Sequence, residues 1–137
     1  MITPMHNAHG TFDVTLAPQT PYDSSEGAVG RMTIDKQFQG DLIASSKGEM
    51  LAIMSGTVKG SAGYVAMEKV TGALQGRKGT FALQHSGTMN RGAQSLTLTV
   101  VPDTGTGDFT GLSGSMKIII TDGKHFYDFD YTIAPTP

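Results

Sequence analysis

The stretch Met116–Lys117–Ile118–Ile119–Ile120–Thr121–Asp122–Gly123–Lys124–His125–Phe126–Tyr127–Asp128–Phe129–Asp130–Tyr131 decides the fold. Asp122–Gly123 supplies the central pair of a type I′ turn, which needs positive φ at both positions, so the flanking segments pair as an antiparallel hairpin. The turn sets the register: Ile120 faces His125, Ile118 faces Tyr127, Met116 faces Phe129 and Gly114 faces Tyr131 on one apolar face. The other face sets Lys117 against Asp128, Ser115 against Asp130 and Ser113 against Thr132, and opposite charges meeting across the strands support the same register. Ile119 and Phe126 form an apolar pair on this outer face. They are candidates for a subunit interface, most simply in a two-fold dimer, or for cover by a terminal segment.

Working outward, Gln75–Gly76 closes a second hairpin that pairs Val70 with Phe81, Glu68 with Leu83, Ala66 with His85 and Gly72 with Gly79. Tyr64, Glu68, Val70, Phe81, Leu83 and His85 then share an inner face, while Lys69, Gln84 and Ser86 point out. Leu96, Leu98 and Val100 alternate with Ser95, Thr97 and Thr99 in a further one-sided strand. Strand signals fall at about 10–17, 29–38, 40–46, 50–58, 63–74, 77–87, 94–101 and 112–133, the last holding two strands. Segments 40–46 and 50–58 read either as one bent strand or as a hairpin broken at Lys47–Gly48. Gly or Pro recurs too often for an unbroken helical period. Consecutive antiparallel strands with short links predict an all-β fold, a single eight-stranded up-and-down barrel, because closure removes sticky edges. A two-sheet sandwich carries the same alternation and is the runner-up.

The chain has 137 residues, 38% of them apolar and 16% charged, a single-domain composition too poor in charge for a disordered chain. We read a flexible arm over 1–9, the barrel over 10–134 and a short tail over 135–137. A net charge of −2 without runs of either sign argues against nucleic acid, an anionic membrane surface or a polyanionic substrate. The absence of Cys excludes disulfides, thiol nucleophiles and Cys-ligated metal. With no apolar run of spanning length and no basic start before an apolar stretch, a cytoplasmic location is expected.

Chemistry rests on the polar exceptions among inward positions. A buried ionised Glu68 must be paired, protonated or beside water. His85 is its diagonal cross-strand neighbour, within side-chain reach. Such a pair can be a satisfied structural contact, or it can move protons near neutral pH as a catalytic couple. A third reading adds His125 and makes a zinc site, but the spacing carries no metal motif, and no metal or cofactor is assigned. Tyr64, Tyr127 and Tyr131 offer inward hydroxyls, Arg77 either a cation at a barrel mouth or a strand-start side chain that reaches solvent, and Phe81 an apolar wall; with His125 they form the expected ligand-binding set. The run Val101–Pro102–Asp103–Thr104–Gly105–Thr106–Gly107–Asp108–Phe109–Thr110–Gly111–Leu112 lacks the Lys and following helix of a phosphate loop and reads as a structured connection.

Gly40–Asp41–Leu42, the block Glu68–Lys69–Val70–Thr71–Gly72–Ala73–Leu74–Gln75–Gly76–Arg77–Lys78–Gly79–Thr80–Phe81–Ala82–Leu83–Gln84–His85, Gly105–Thr106–Gly107 with Gly111–Leu112, and His125–Phe126–Tyr127 resemble a bacterial domain-of-unknown-function family, DUF 3224. The likeness runs from about Gly10 to Ile133. It implies a fold similar to the allene oxide cyclase barrel, an eight-stranded antiparallel barrel with an apolar lumen. It implies no activity.

The expected function is therefore a binding module for a small, largely apolar molecule in the lumen. One alternative is a cofactor-independent isomerase or cyclase using Glu68 and His85; another is a filled barrel acting through assembly. Replacing Glu68 with Gln is expected to alter binding or activity with little change in melting temperature at neutral pH, whereas a large loss of stability would favour the structural reading.

Overall fold

The computed structural model describes residues 3–135. Eight strands follow in order: β1 (His6–Gln19), β2 (Gly30–Gly40), β3 (Leu42–Met54), β4 (Ala62–Leu74), β5 (Arg77–Asn90), β6 (Ala93–Val100), β7 (Leu112–Thr121) and β8 (Lys124–Ile133). Each pairs antiparallel with the next, and β8 returns to β1, so the sheet closes into a barrel. No helix among the described residues is long and apolar enough to cross a membrane.

Both turn-derived registers hold. Ile118 lies opposite Tyr127 and Lys117 opposite Asp128, with Asp122 at φ 52° and Gly123 at φ 75°. Val70 lies opposite Phe81 and Gly72 opposite Gly79. The expected segments 40–46 and 50–58 join in one strand, β3, which runs from Leu42 to Met54 without a break through Gly48, opposite Glu68; Gly40 ends β2, and 55–58 lie in the β3–β4 connection.

One boundary is corrected. Residues 6–9, expected in a flexible arm, begin β1: His6 pairs with Tyr131 and His9 with Asp128, and Ala8 is fully buried. Closing the barrel satisfies the free edge of β8, and that edge draws in the preceding residues. Met1 and Ile2 of that arm, and Thr136 and Pro137 of the expected tail, lie outside the described residues.

The two ends of the barrel differ. At one end, Leu42, Leu74, Leu83, Phe81, Phe129 and Tyr131 are buried in a continuous core. The Gly-rich connection folds across this end and inserts Phe109, whose ring meets Phe81 edge-on at 5.2 Å. Asp108 accepts the Lys78 backbone N–H at 3.0 Å, and Thr106 Oγ1 accepts that of Thr80 at 3.1 Å, so the connection is sewn onto β5. Gly79 permits the approach, since a Cβ there would lie 2.1 Å from the Thr106 carbonyl oxygen. At the other end the inner face is lined by small and aliphatic residues and the lumen is open. The seam between β6 and β7 is held in register only at Thr99 and Ser115 among the described residues.

Candidate functional site

The open half of the barrel encloses a cavity of about 700 Å³. Val14, Leu16, Ile34, Met50, Leu96, Ile118 and Ile120 supply apolar wall, and Ala52, Ala62, Gly63 and Gly87 leave the space. Ile120 and Leu16 point inward by strand parity, yet they are substantially exposed at the rim, which gives the mouth an apolar lip. Lys36, Tyr64, His85 and His125 bring polar groups to the wall.

Three of these belong to one hydrogen-bonded chain around Glu68. The Glu68 carboxylate is 2% exposed and lies behind the cavity wall. Lys36 Nζ donates to its Oε2 at 2.9 Å, His85 Nε2 to the same oxygen at 2.6 Å, and Ser46 Oγ to Oε1 at 3.0 Å. β2, β3, β4 and β5 each contribute one of these groups, so the cluster ties half the circumference together. Burial pushes the Glu68 carboxyl up, but the hydrogen bond from His85 and the charge of Lys36 outweigh it and hold the group below its ordinary value. An ionised Glu68 accepts, so His85 Nε2 carries a proton and Nδ1 faces the Tyr64 hydroxyl at 3.3 Å. Burial, reinforced by the Glu68 charge, pushes the Tyr64 phenol up and keeps it protonated. Gly87 makes room for this ring: a Cβ there would lie 2.4 Å from Tyr64 Cε1. The Lys36 ammonium also lies 4.9 Å from the centre of the Phe12 ring and 5.7 Å from that of Phe38, within the range of cation–π attraction.

The structure thus brings Glu68, His85 and Tyr64 into one relay. His125 reaches the same cavity from the far wall, its ring 5.1 Å from Phe12, without joining Glu68. Among the described residues no group of three or more His, Cys, Asp or Glu is arranged to hold a metal ion.

The other members of the expected binding set lie elsewhere. Phe81, Tyr127 and Tyr131 are buried in the packed half. Tyr127 OH accepts the Leu42 N–H at 2.8 Å and donates to the Gln39 carbonyl at 2.9 Å, a bracket between β8 and the β2–β3 corner. Tyr131 OH donates to Gln75 Oε1 at the closed end, and burial raises its pKa against the opposing charge of Arg77. Arg77 starts β5 at that end, opposite Leu74, and does not line the cavity. Sequence reasoning missed Lys36 and Ser46. Lys36 was visible as a charge alternating in phase with Ile34 and Phe38 in β2, and Ser46 as a polar residue in phase with Leu42 and Ala44 in β3.

The family described as "Protein of unknown function (DUF3224)" matches residues 8–131. The chain is also similar to a DUF3224-family protein of unknown function from Shewanella oneidensis MR-1, whose crystal structure was determined at 1.84 Å. The two are 50% identical over 97% of this chain and 100% of that one, with a TM-score of 0.91. No curated protein matches.

Proposed function

We propose, on the premise that the chain belongs to the DUF3224 family and takes no assigned activity from it, that the barrel binds a small, largely apolar molecule in its open half. The observation that carries this reading is the cavity itself: about 700 Å³, walled by aliphatic side chains, with Lys36, Tyr64, His85 and His125 converging on it. That is the pattern of a site that takes a ligand by its apolar body and orients it through a few polar groups. The Lys36 charge is compensated by Glu68 at 2.9 Å, so the wall offers hydrogen bonds without a free net charge. A neutral ligand with an acceptor such as a carbonyl suits it better than a polyanion.

The test is titration with the neutral environment-sensitive dye N-phenyl-1-naphthylamine. Its fluorescence should rise and saturate at one dye per chain. Ala52→Trp, which places an indole into the cavity, should abolish the rise. Equal fluorescence from both proteins would remove the cavity as the site.

Self-association is a second reading, favoured by the outer face of β3 and β4. There Leu51 and Val65 are paired and lie beside Ile53 and Met67, all four exposed. This apolar area is larger than that of Ile119, which is exposed, and Phe126, which is half-buried.

A further inference from the structure

We propose that the cavity wall is a proton-transfer site for neutral carbonyl compounds, with the Tyr64 hydroxyl and His85 as catalytic acid–base groups, Lys36 as the oxyanion donor and Glu68 as a positioning residue. This rests on the binding reading above and extends it from holding a ligand to changing one.

The arrangement has the order that acid–base chemistry requires. Tyr64 and His85 line the cavity, whereas Glu68 is sealed behind them. A proton can pass from the Tyr64 hydroxyl to His85 Nδ1 across 3.3 Å while Nε2–H stays bound to Glu68 Oε2 at 2.6 Å. That is the logic of a serine–histidine–aspartate triad with a phenol at the outer position. Glu68 is held from three sides, by Lys36, Ser46 and His85, so it fixes the imidazole orientation and stabilises the imidazolium that forms. A merely structural ion pair between Lys36 and Glu68 would need neither the imidazole nor the phenol at the cavity wall. Among the described residues, the remaining ionisable group on the cavity is His125 of β8, which lies against Phe12.

The step balances without an oxidant or cofactor. Tyr64 O takes a proton from the carbon next to the substrate carbonyl as its own proton moves to His85 Nδ1. The C–H electron pair becomes the C=C bond of an enolate, whose oxygen receives a hydrogen bond from the Lys36 ammonium. The imidazolium then returns its proton to Tyr64, which protonates either end of the enolate system. The net result is hydrogen exchange at that carbon, inversion there, or a shift of a conjugated double bond.

The experiment follows exchange of the C1 protons of 2-tetralone in D₂O by proton NMR, with binding measured in the same samples by saturation transfer. Wild-type protein should accelerate exchange over buffer at equal pH, and Tyr64→Phe should lower the protein-dependent rate by about a hundredfold while 2-tetralone still binds. His85→Gln should do the same. Glu68→Gln should move the midpoint of the pH–rate profile, a change that a purely structural role would not produce; Tyr64→Phe, which removes a single oxygen, keeps the test decisive if that variant folds poorly. Binding without acceleration, or acceleration that survives both Tyr64→Phe and His85→Gln, would overturn the inference and leave the binding reading standing. Absence of 2-tetralone binding by a chain that binds N-phenyl-1-naphthylamine would overturn the inference alone, and absence of both would overturn the binding reading as well.

Discussion

The two halves of this barrel share the same eight strands and the same in–out alternation, yet one is solid and the other hollow. In the closed half the inward positions carry Phe81, Phe129 and Tyr131, and the Gly-rich connection adds Phe109 as a plug. The stacked Phe129 and Tyr131 rings lie 5.2 Å apart, and Phe81 and Phe129 lie 6.0 Å apart. In the open half, positions of the same parity carry Ala52, Ala62 and Gly87. An eight-stranded barrel is just wide enough to be filled by large side chains or to hold one small ligand, so side-chain volume at each level decides which. The buried core is concentrated in one half and the open space in the other.

The largest effect should come from emptying the closed half. Phe129→Ala should cost about 4 kcal/mol in chemical denaturation, by lost burial and a new cavity. Ile118→Ala, which enlarges a space already open, should cost a small fraction of that. Similar losses from the two would erase the distinction between the halves.

The Glu68 cluster sits at the boundary and should behave as part of both. Glu68→Gln leaves the Lys36 ammonium buried beside a neutral amide and should cost about 3 kcal/mol in the same assay. The buried Lys36 ammonium, 2.9 Å from the carboxylate, is why the melting temperature does not stay unchanged, and it makes the loss of stability the same for a structural and a functional Glu68, which the pH–rate profile separates. The pH dependence has a fixed sign. Glu68 titrates lower in the folded chain than its ordinary value of 4.5, so its stabilising contribution is present above that value and is lost as pH falls through the lower folded pKa. Wild-type stability should drop on acidification below about pH 4.5, and Glu68→Gln should show a shallower drop; parallel curves would contradict the paired carboxylate.

How much of this was legible follows from where the constraints sit. The β4–β5 and β7–β8 registers were readable because two-residue turns with positive φ at Gln75, Gly76, Asp122 and Gly123 allow one pairing. The Glu68–His85 contact was readable for the same reason, since it joins neighbouring strands across a known turn. Lys36 reaches Glu68 from β2, which is not adjacent to β4, so the contact depends on barrel curvature that no local register encodes. Parity placed Phe81, Tyr127 and Tyr131 inside but not their height along the axis, and height separates packed core from cavity wall. Phe109 stood in a connection correctly read as structured, but its plugging role depends on how far that segment folds back.

Smaller effects sharpen the comparison. Ala52→Trp should change stability by no more than about 0.5 kcal/mol, because the indole enters open space, while removing dye binding. Charging the outer face should leave both halves intact: Leu51→Asp with Val65→Asp, and separately Ile119→Asp with Phe126→Asp, are expected to shift the species seen by light scattering without altering dye binding. An unchanged species in both pairs would remove assembly through either face.

The most direct test of the hollow half is native mass spectrometry of the wild-type chain and Ala52→Trp in excess N-phenyl-1-naphthylamine. The account predicts one dye per wild-type chain, lost on denaturation, and a bare Ala52→Trp chain. Equal occupancy of the two proteins, or none in either, would contradict it.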